Sequence, residues 1–286
     1  MLINQQADNE RAIRLLDEAL QLFDEGGDVR GSARVLTSLG GVASRQGRYG
    51  EAERYCQRGL ELRRAIGDRG WSAIVLHNLG NYARFQGRTA IARERYEEAL
   101  AIHREVGQSA GIVTTLLDLG SMAIEDGHLV DAETHIEESL AASRALGLQQ
   151  WIAYGLWQRG RLCRKRGQLS NARVYLGESL KLASWLGDAF LALSLVGETA
   201  NLAAALGSLE RAVALRGAET ALQAGGNIVI APIFLAEEEE MLARARAVLR
   251  EEQFTRFWNQ GQGMTLEEAL AGALDETGQS VVQTRE

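Results

Sequence analysis

The residues that could do chemistry are few and scattered. The four histidines are His77, His103, His128 and His135, and only His128 and His135 lie close, seven residues apart among acidic neighbours. An imidazole pair beside carboxylates is one way to hold a divalent metal. Across a turn and a helix, however, this spacing fits two solvated surface histidines better. Glu97-Glu98 and Glu137-Glu138 have the side chains for acid–base work, but neighbouring positions on a helix do not face each other, and they read as solvated faces. Cys56 and Cys163 are too distant for a zinc spacing or a disulfide framework. Both sit within apolar helical patterns, as small buried thiols in a reducing cytoplasm. No Gly-x-x-x-x-Gly-Lys-Ser/Thr loop, Gly-x-Ser-x-Gly elbow, His-Glu-x-x-His or Cys-x-x-Cys occurs. The expectation is a protein that is not an enzyme and uses no cofactor and no metal.

Function must then lie in a surface, and the elements that build it repeat. Glycine recurs at 40, 80, 120 and 160, with Ala200 at the next step. Further rows step by the same forty residues: Gly47, Gly87, Gly127, Gly167 and Gly207; Gly27, Gly67, Gly107, Gly147 and Gly187; Ala52, Ala92, Ala132, Ala172 and Ala212; Leu60, Leu100, Leu140 and Leu180. Chance does not align five such rows, so the chain is an internal array. Between glycines, apolar residues recur at spacings of three and four, as at Ala92, Tyr96, Ala99, Leu100 and Val106, or Leu76, Leu79, Gly80 and Ala83. Each unit is therefore two amphipathic helices of about four turns, roughly 24 Å long. No alternating strand pattern precedes residue 224.

The glycine rows imply different physical roles. Those at 47 and 27 and their equivalents should close the first and second helices of each pair in the left-handed conformation. The row at 40 lies within a helix, where glycine costs about 1 kcal/mol relative to alanine. Its repetition predicts a neighbour that approaches the backbone too closely for a side chain.

Leu79-Gly80, then Ala83, then Ala92-x-x-x-Tyr96 resembles the tetratricopeptide motif. Alanine or cysteine replaces its Tyr position (Ala43, Ala83, Ala123, Cys163, Ala203), the terminal Pro is missing, and the period is forty rather than about thirty-four. The resemblance covers about residues 8–224 and implies an all-α, right-handed α-solenoid of helix-turn-helix repeats. Residues 8–26 match a second helix without its first, so the expectation is a piece of a longer protein or an unusual cap. After Leu222 the repeat fails. A linker over 224–233, holding the only proline, leads to three short helices near 234–249, 251–260 and 265–275, with Phe254, Phe257 and Trp258 docking them onto the last repeat. The expected division is an array over 8–224, a helical cap over 225–276 and a polar tail over 277–286. The acidic run Glu237–Glu240 could be a binding patch, but carboxylates at a helix start also complement the helix dipole.

The segment from Glu210, together with the stretch from Phe234 to Leu274, is similar to the end of the helical-repeat region in large bacterial signalling ATPases of the STAND type and in LuxR-family and related regulators. That resemblance implies a sensing and autoinhibitory role in signal transduction and transcription regulation, with an ATPase module elsewhere in the same full-length protein. The other reading is a free-standing adaptor joining two partners.

In the tetratricopeptide family the first helices line the concave groove. On the fourth repeat this puts Tyr154, Trp157, Arg161 and Arg164 on one stripe, and on the second His77, Asn81 and Arg84, with Phe85 beside them. The corresponding positions of the third are Thr114, Leu117, Ser121 and Ile124. Aromatics beside arginines suit a protein or peptide ligand, although a long repeat could instead bury Trp157 against the next helix. The net charge of −7 and pI near 5.4 argue against nucleic acid. A mean hydropathy of −0.15, no apolar run near the ~20 residues of a membrane span and no secretory signal at the start predict a cytoplasmic protein that does not enter membranes.

Overall fold

The computed structural model describes residues 2–226 and 235–274, with side chains over 10–225 and 237–273. The linker read over 224–233 lies, but for its first three residues, outside the described residues, as does the polar tail read over 277–286. Eleven helices follow the forty-residue register: α1 (Leu2–Glu25), α2 (Val29–Arg45), α3 (Tyr49–Ala65), α4 (Arg69–Phe85), α5 (Thr89–Val106), α6 (Ser109–Glu125), α7 (Leu129–Ala145), α8 (Gln149–Lys165), α9 (Leu169–Leu186), α10 (Ala189–Ala205) and α11 (Leu209–Gly226). Three shorter ones follow: α12 (Leu235–Val248), α13 (Glu251–Gln262) and α14 (Leu266–Leu274). No strand occurs among the described residues. The architecture is the all-α array of helix-turn-helix repeats that the register implied.

The turns follow from glycine chemistry. All ten glycines of the two turn rows have φ between 67° and 86°, where a Cβ would clash with the backbone. After α1, the Asp28 amide reaches back to the Phe23 carbonyl at 2.9 Å, closing the helix end. The next residue type then starts the following helix. Asp28, Asp68 and Asp188 accept from the amides of Gly31, Trp71 and Leu191, three residues on.

The chain forms two compact units, divided between Leu119 and Gly120 inside α6. In the first, Leu36, Leu39, Leu60, Leu76 and Tyr96 are fully buried. The Cys56 thiol of α3 is buried there too, and burial pushes its pKa up to about 11 despite the neighbouring Tyr82 hydroxyl. On α1, Leu15 and Leu22 remain exposed. In the second unit the core runs through Ile136, Leu156, Leu162, Leu176, Leu180, Leu191 and Leu195.

The mid-helix glycines are slots for one side chain each. A Cβ on Gly80 would stand 2.7 Å from the Tyr96 ring, one on Gly120 2.9 Å from Ile136, and one on Gly160 2.6 Å from Leu176. A Cβ on Gly40 would stand 2.6 Å from the Cys56 sulfur. The partner always lies sixteen residues on, so the close approach comes mainly from a side-chain tip rather than from a neighbouring backbone.

True backbone contact occurs where α13 crosses α11. A Cβ at Gly217 would meet the Trp258 carbonyl at 2.5 Å, and one at Gly261 would run into the Ala214 carbonyl. Phe254 is buried there with Leu209, Ala212, Val213, Met241 and Ala245, and Phe257 and Trp258 pack on the same cluster.

Candidate protein-binding face

In the second unit, α8 holds Trp151, Tyr154, Trp157, Arg161 and Arg164 along one face. The aromatic rings follow one another at 5.6 and 6.2 Å, and the Arg161 guanidinium lies 5.6 Å from the Trp157 ring. Tyr154 and Trp157 are half-buried against the cluster of Leu180, Leu191 and Leu195. Burial, and then the nearby Asp188 carboxylate, raises the Tyr154 phenol well above its usual range. The buried Trp157 indole N–H finds no acceptor among the described residues.

The arginines are not waiting in an open groove. Arg161 is buried and donates to Gln158 at 2.9 Å and to Ser121, forty residues back, at 3.1 Å. Side chains one full repeat apart therefore meet, and in the same row Ser121 and Ile124 are themselves buried. The sequence stripe is thus largely an inter-repeat polar seam, because neighbouring first helices pack side by side. Arg164, only 10% exposed, donates from Nε to Glu198 at 2.5 Å and from Nη2 to Glu237 at 2.6 Å. Burial alone would lower its pKa, but these two carboxylates raise it further out of the titrating range.

Glu237 therefore does more than complement a helix dipole. Lys165 reaches it at 2.8 Å, and Glu238 lies 3.6 Å from Arg216 on α11. Burial would raise the Glu237 pKa; the Arg164 charge, with hydrogen bonds from Lys165 and Arg164, outweighs that and holds it at about 2. Arg216 also pairs with buried Glu219, whose pKa burial pushes up to about 7 despite that partner. Two more arginines at α8 are neutralised by the preceding helix: Glu133 of α7 accepts from both Arg159 and Arg166 at 2.7 Å.

The first unit arranges its residues differently. His77 Nε2 meets Asp118 at 2.8 Å and Nδ1 meets the buried Thr115 hydroxyl at 3.2 Å. Both ring nitrogens are thus occupied, one by a carboxylate and one by a hydroxyl. Arg84 is buried, 3.5 Å from the same Asp118. Asn81 accepts from the Tyr96 hydroxyl at 2.6 Å, and Phe85 packs on Tyr49 at 5.1 Å. A Thr–His–Asp row invites a catalytic reading, but Thr115 is completely buried and could not reach a substrate. Among the described residues no group of three His, Cys, Asp or Glu side chains could hold a metal ion.

Sequence reading missed one exposed pair. Trp185 and Phe190 flank the Gly187 turn at 74% and 52% exposure. Aligning the register would have marked them, since the same places hold Ala145 or Glu105, and Gln150 or Ala110.

Antiparallel helix pairs closed by left-handed glycines, with a glycine slot in four of the five first helices, define a helical-repeat scaffold. Residues 1–65 and 31–105 match the family model described as tetratricopeptide repeat. The fold is similar to that of BtubC (BKLC) from P. vanneervenii, at 20% identity over 78% of this chain and 92% of that one, TM-score 0.60. It is also similar to a Rap protein complexed with Competence and Sporulation Factor, at 15% identity over 86% and 76%, TM-score 0.57. A tetratricopeptide repeat protein from Parabacteroides merdae aligns at 16% identity over 93% and 100%, TM-score 0.51. No match was found among curated protein sequences. Among the described residues no helix is long and apolar enough to cross a membrane.

Proposed function

We propose that this chain is a scaffold that binds a protein or peptide, and that α8 carries the centre of its recognition face. The observation behind this reading is the continuous row from Trp151 through Tyr154, Trp157 and Arg161 to Arg164. Half-buried aromatics beside guanidinium groups are what binding hot spots use. A Rap protein of similar fold was solved complexed with Competence and Sporulation Factor, which supports a ligand of this class.

In the finer reading the chain is the cytoplasmic sensing and autoinhibitory region of a bacterial STAND-type ATPase or LuxR-family-type regulator. Ligand binding would release an ATPase module of the same full-length protein. The sequence similarity from Glu210 to Leu274 supports it. Exposed Trp185 and Phe190 favour a second reading, an adaptor holding two partners at once.

Selection of peptides displayed against the 286-residue chain tests the proposal. Enriched peptides should bind the Trp157→Ala variant about thirtyfold more weakly, equivalent to ~2 kcal/mol. An adaptor would also yield a second group of peptides, sensitive to Trp185→Ala instead. Failure to enrich any peptide, or binding indifferent to α8, would refute the scaffold reading.

A further inference from the structure

The face of α8 that would receive a ligand already holds one piece of this chain. Glu237, in the first turn of α12, sits on Arg164 and Lys165, and Glu238 approaches Arg216. The repeat helices do not need that carboxylate to satisfy Arg164, because Glu198 already binds its Nε. Without α12, the cations Arg161, Arg164, Lys165 and Arg216 face Glu125, Glu198 and Glu219 from the repeat helices. Four cations then face three carboxylates, so positive charge is in excess there.

The attachment of α12 is light. α13 lies along α11 through a backbone-close crossing, whereas α12 rests less extensively on α10 and α11, through Met241, Leu242 and Ala245 and through its acidic first turn. The Lys165–Glu237 pair is partly exposed, at 37% and 29%, and a pair of that kind weakens with salt and exchanges readily; the Arg164 and Arg216 side of the contact is buried. Of the run from Glu237 to Glu240, the first two carboxylates reach this place, and Glu239 and Glu240 are exposed.

Resting on the proposed function, we infer that Arg164, Lys165 and Arg216 form a site for an acidic peptide with two or more carboxylates within one helical turn, and that α12 occupies it in cis. A partner of that chemistry binds by displacing the first turn of α12.

The probe is a labelled synthetic peptide of residues 235–248, with a control in which Glu237–Glu240 are glutamines. The intact chain and the double variant Glu237→Ala, Glu238→Ala are titrated at low and high salt. The acidic peptide should bind the double variant at least tenfold more tightly than the intact chain, lose that binding with Lys165→Glu, and be weakened by salt. The glutamine peptide should bind neither. Peptide added to the intact chain should also speed amide exchange in α12, a readout that needs no variant. Equal affinity for both proteins, binding insensitive to Lys165, or unchanged exchange in α12 overturns the inference. If peptides selected from a library bind α8 while these results fail, the scaffold reading stands and only the acidic occupant falls.

Discussion

Arg164 on α8 bridges two carboxylates from separate elements, Glu198 of α10 at 2.5 Å and Glu237 of α12 at 2.6 Å. Arg161 stands 3.8 Å from the same Glu198. One buried glutamate thus serves two buried guanidinium groups, while the second glutamate is a partly exposed addition.

The two carboxylates should differ in weight. Glu198→Ala leaves two buried cations short of a partner and should cost about 3 kcal/mol or more. Glu237→Ala removes the more exposed of the two carboxylates and should cost less, because Glu198 still holds Arg164. Urea unfolding of both variants measures this, and equal losses would mean that α12 is as integral as α10.

Glycine substitutions should change sign with position. Gly80→Ala drives a Cβ into the Tyr96 ring and should destabilise by about 1–3 kcal/mol. Gly177→Ala, within α9 and with open space around it, should stabilise by up to about 1 kcal/mol. Thermal or urea unfolding decides it, and a loss at Gly177 equal to that at Gly80 would remove the slot explanation.

The turns and slots were legible in the sequence because a fixed register repeats one backbone geometry. Gly87 and Gly127 announce left-handed turns. The partner row of Cys56, Tyr96, Ile136 and Leu176 was also visible at a constant spacing of sixteen, though its meaning needed the helix pair. The α8 stripe was legible as a stripe, but its surroundings were not. Glu198 and Glu237 lie thirty-four and seventy-three residues away, and only packing of successive first helices brings Ser121 to Arg161. Periodicity gives the face of a helix and not what covers it.

The crossing of α11 and α13 should fail locally. Gly261→Ala leaves no room beside the Ala214 carbonyl, so α13 should lift while the repeats stay folded. Amide exchange should accelerate in residues 251–262 with little change in α8 or α9. Uniform acceleration would instead mean that α13 stabilises the whole second unit.

Two carboxylates should give opposite pH dependence. The Glu219 pKa rises from 4.5 to about 7 on burial, so the folded state holds the extra proton. Stability from this group falls as pH rises from about 4.5 to about 7. Glu219→Gln should therefore gain stability relative to the parent at pH 8 and little at pH 4. Glu237, held at about 2, contributes stability above its ordinary 4.5 that is lost as pH falls towards 2. Glu237→Gln should lose more at pH 7 than at pH 3. Urea unfolding across pH checks both signs, and a shared sign would show that Arg216 and Arg164 act alike on their partners.

The central claim is that a protein or peptide is recognised on the first-helix face of α8. Amide exchange of the full chain, with and without a peptide enriched by display, maps that face directly. The account predicts slowed exchange in α8 and α10, with α5, α7 and the exposed end of α9 around Trp185 unchanged. Protection confined to those second helices, with α8 unaffected, would contradict it.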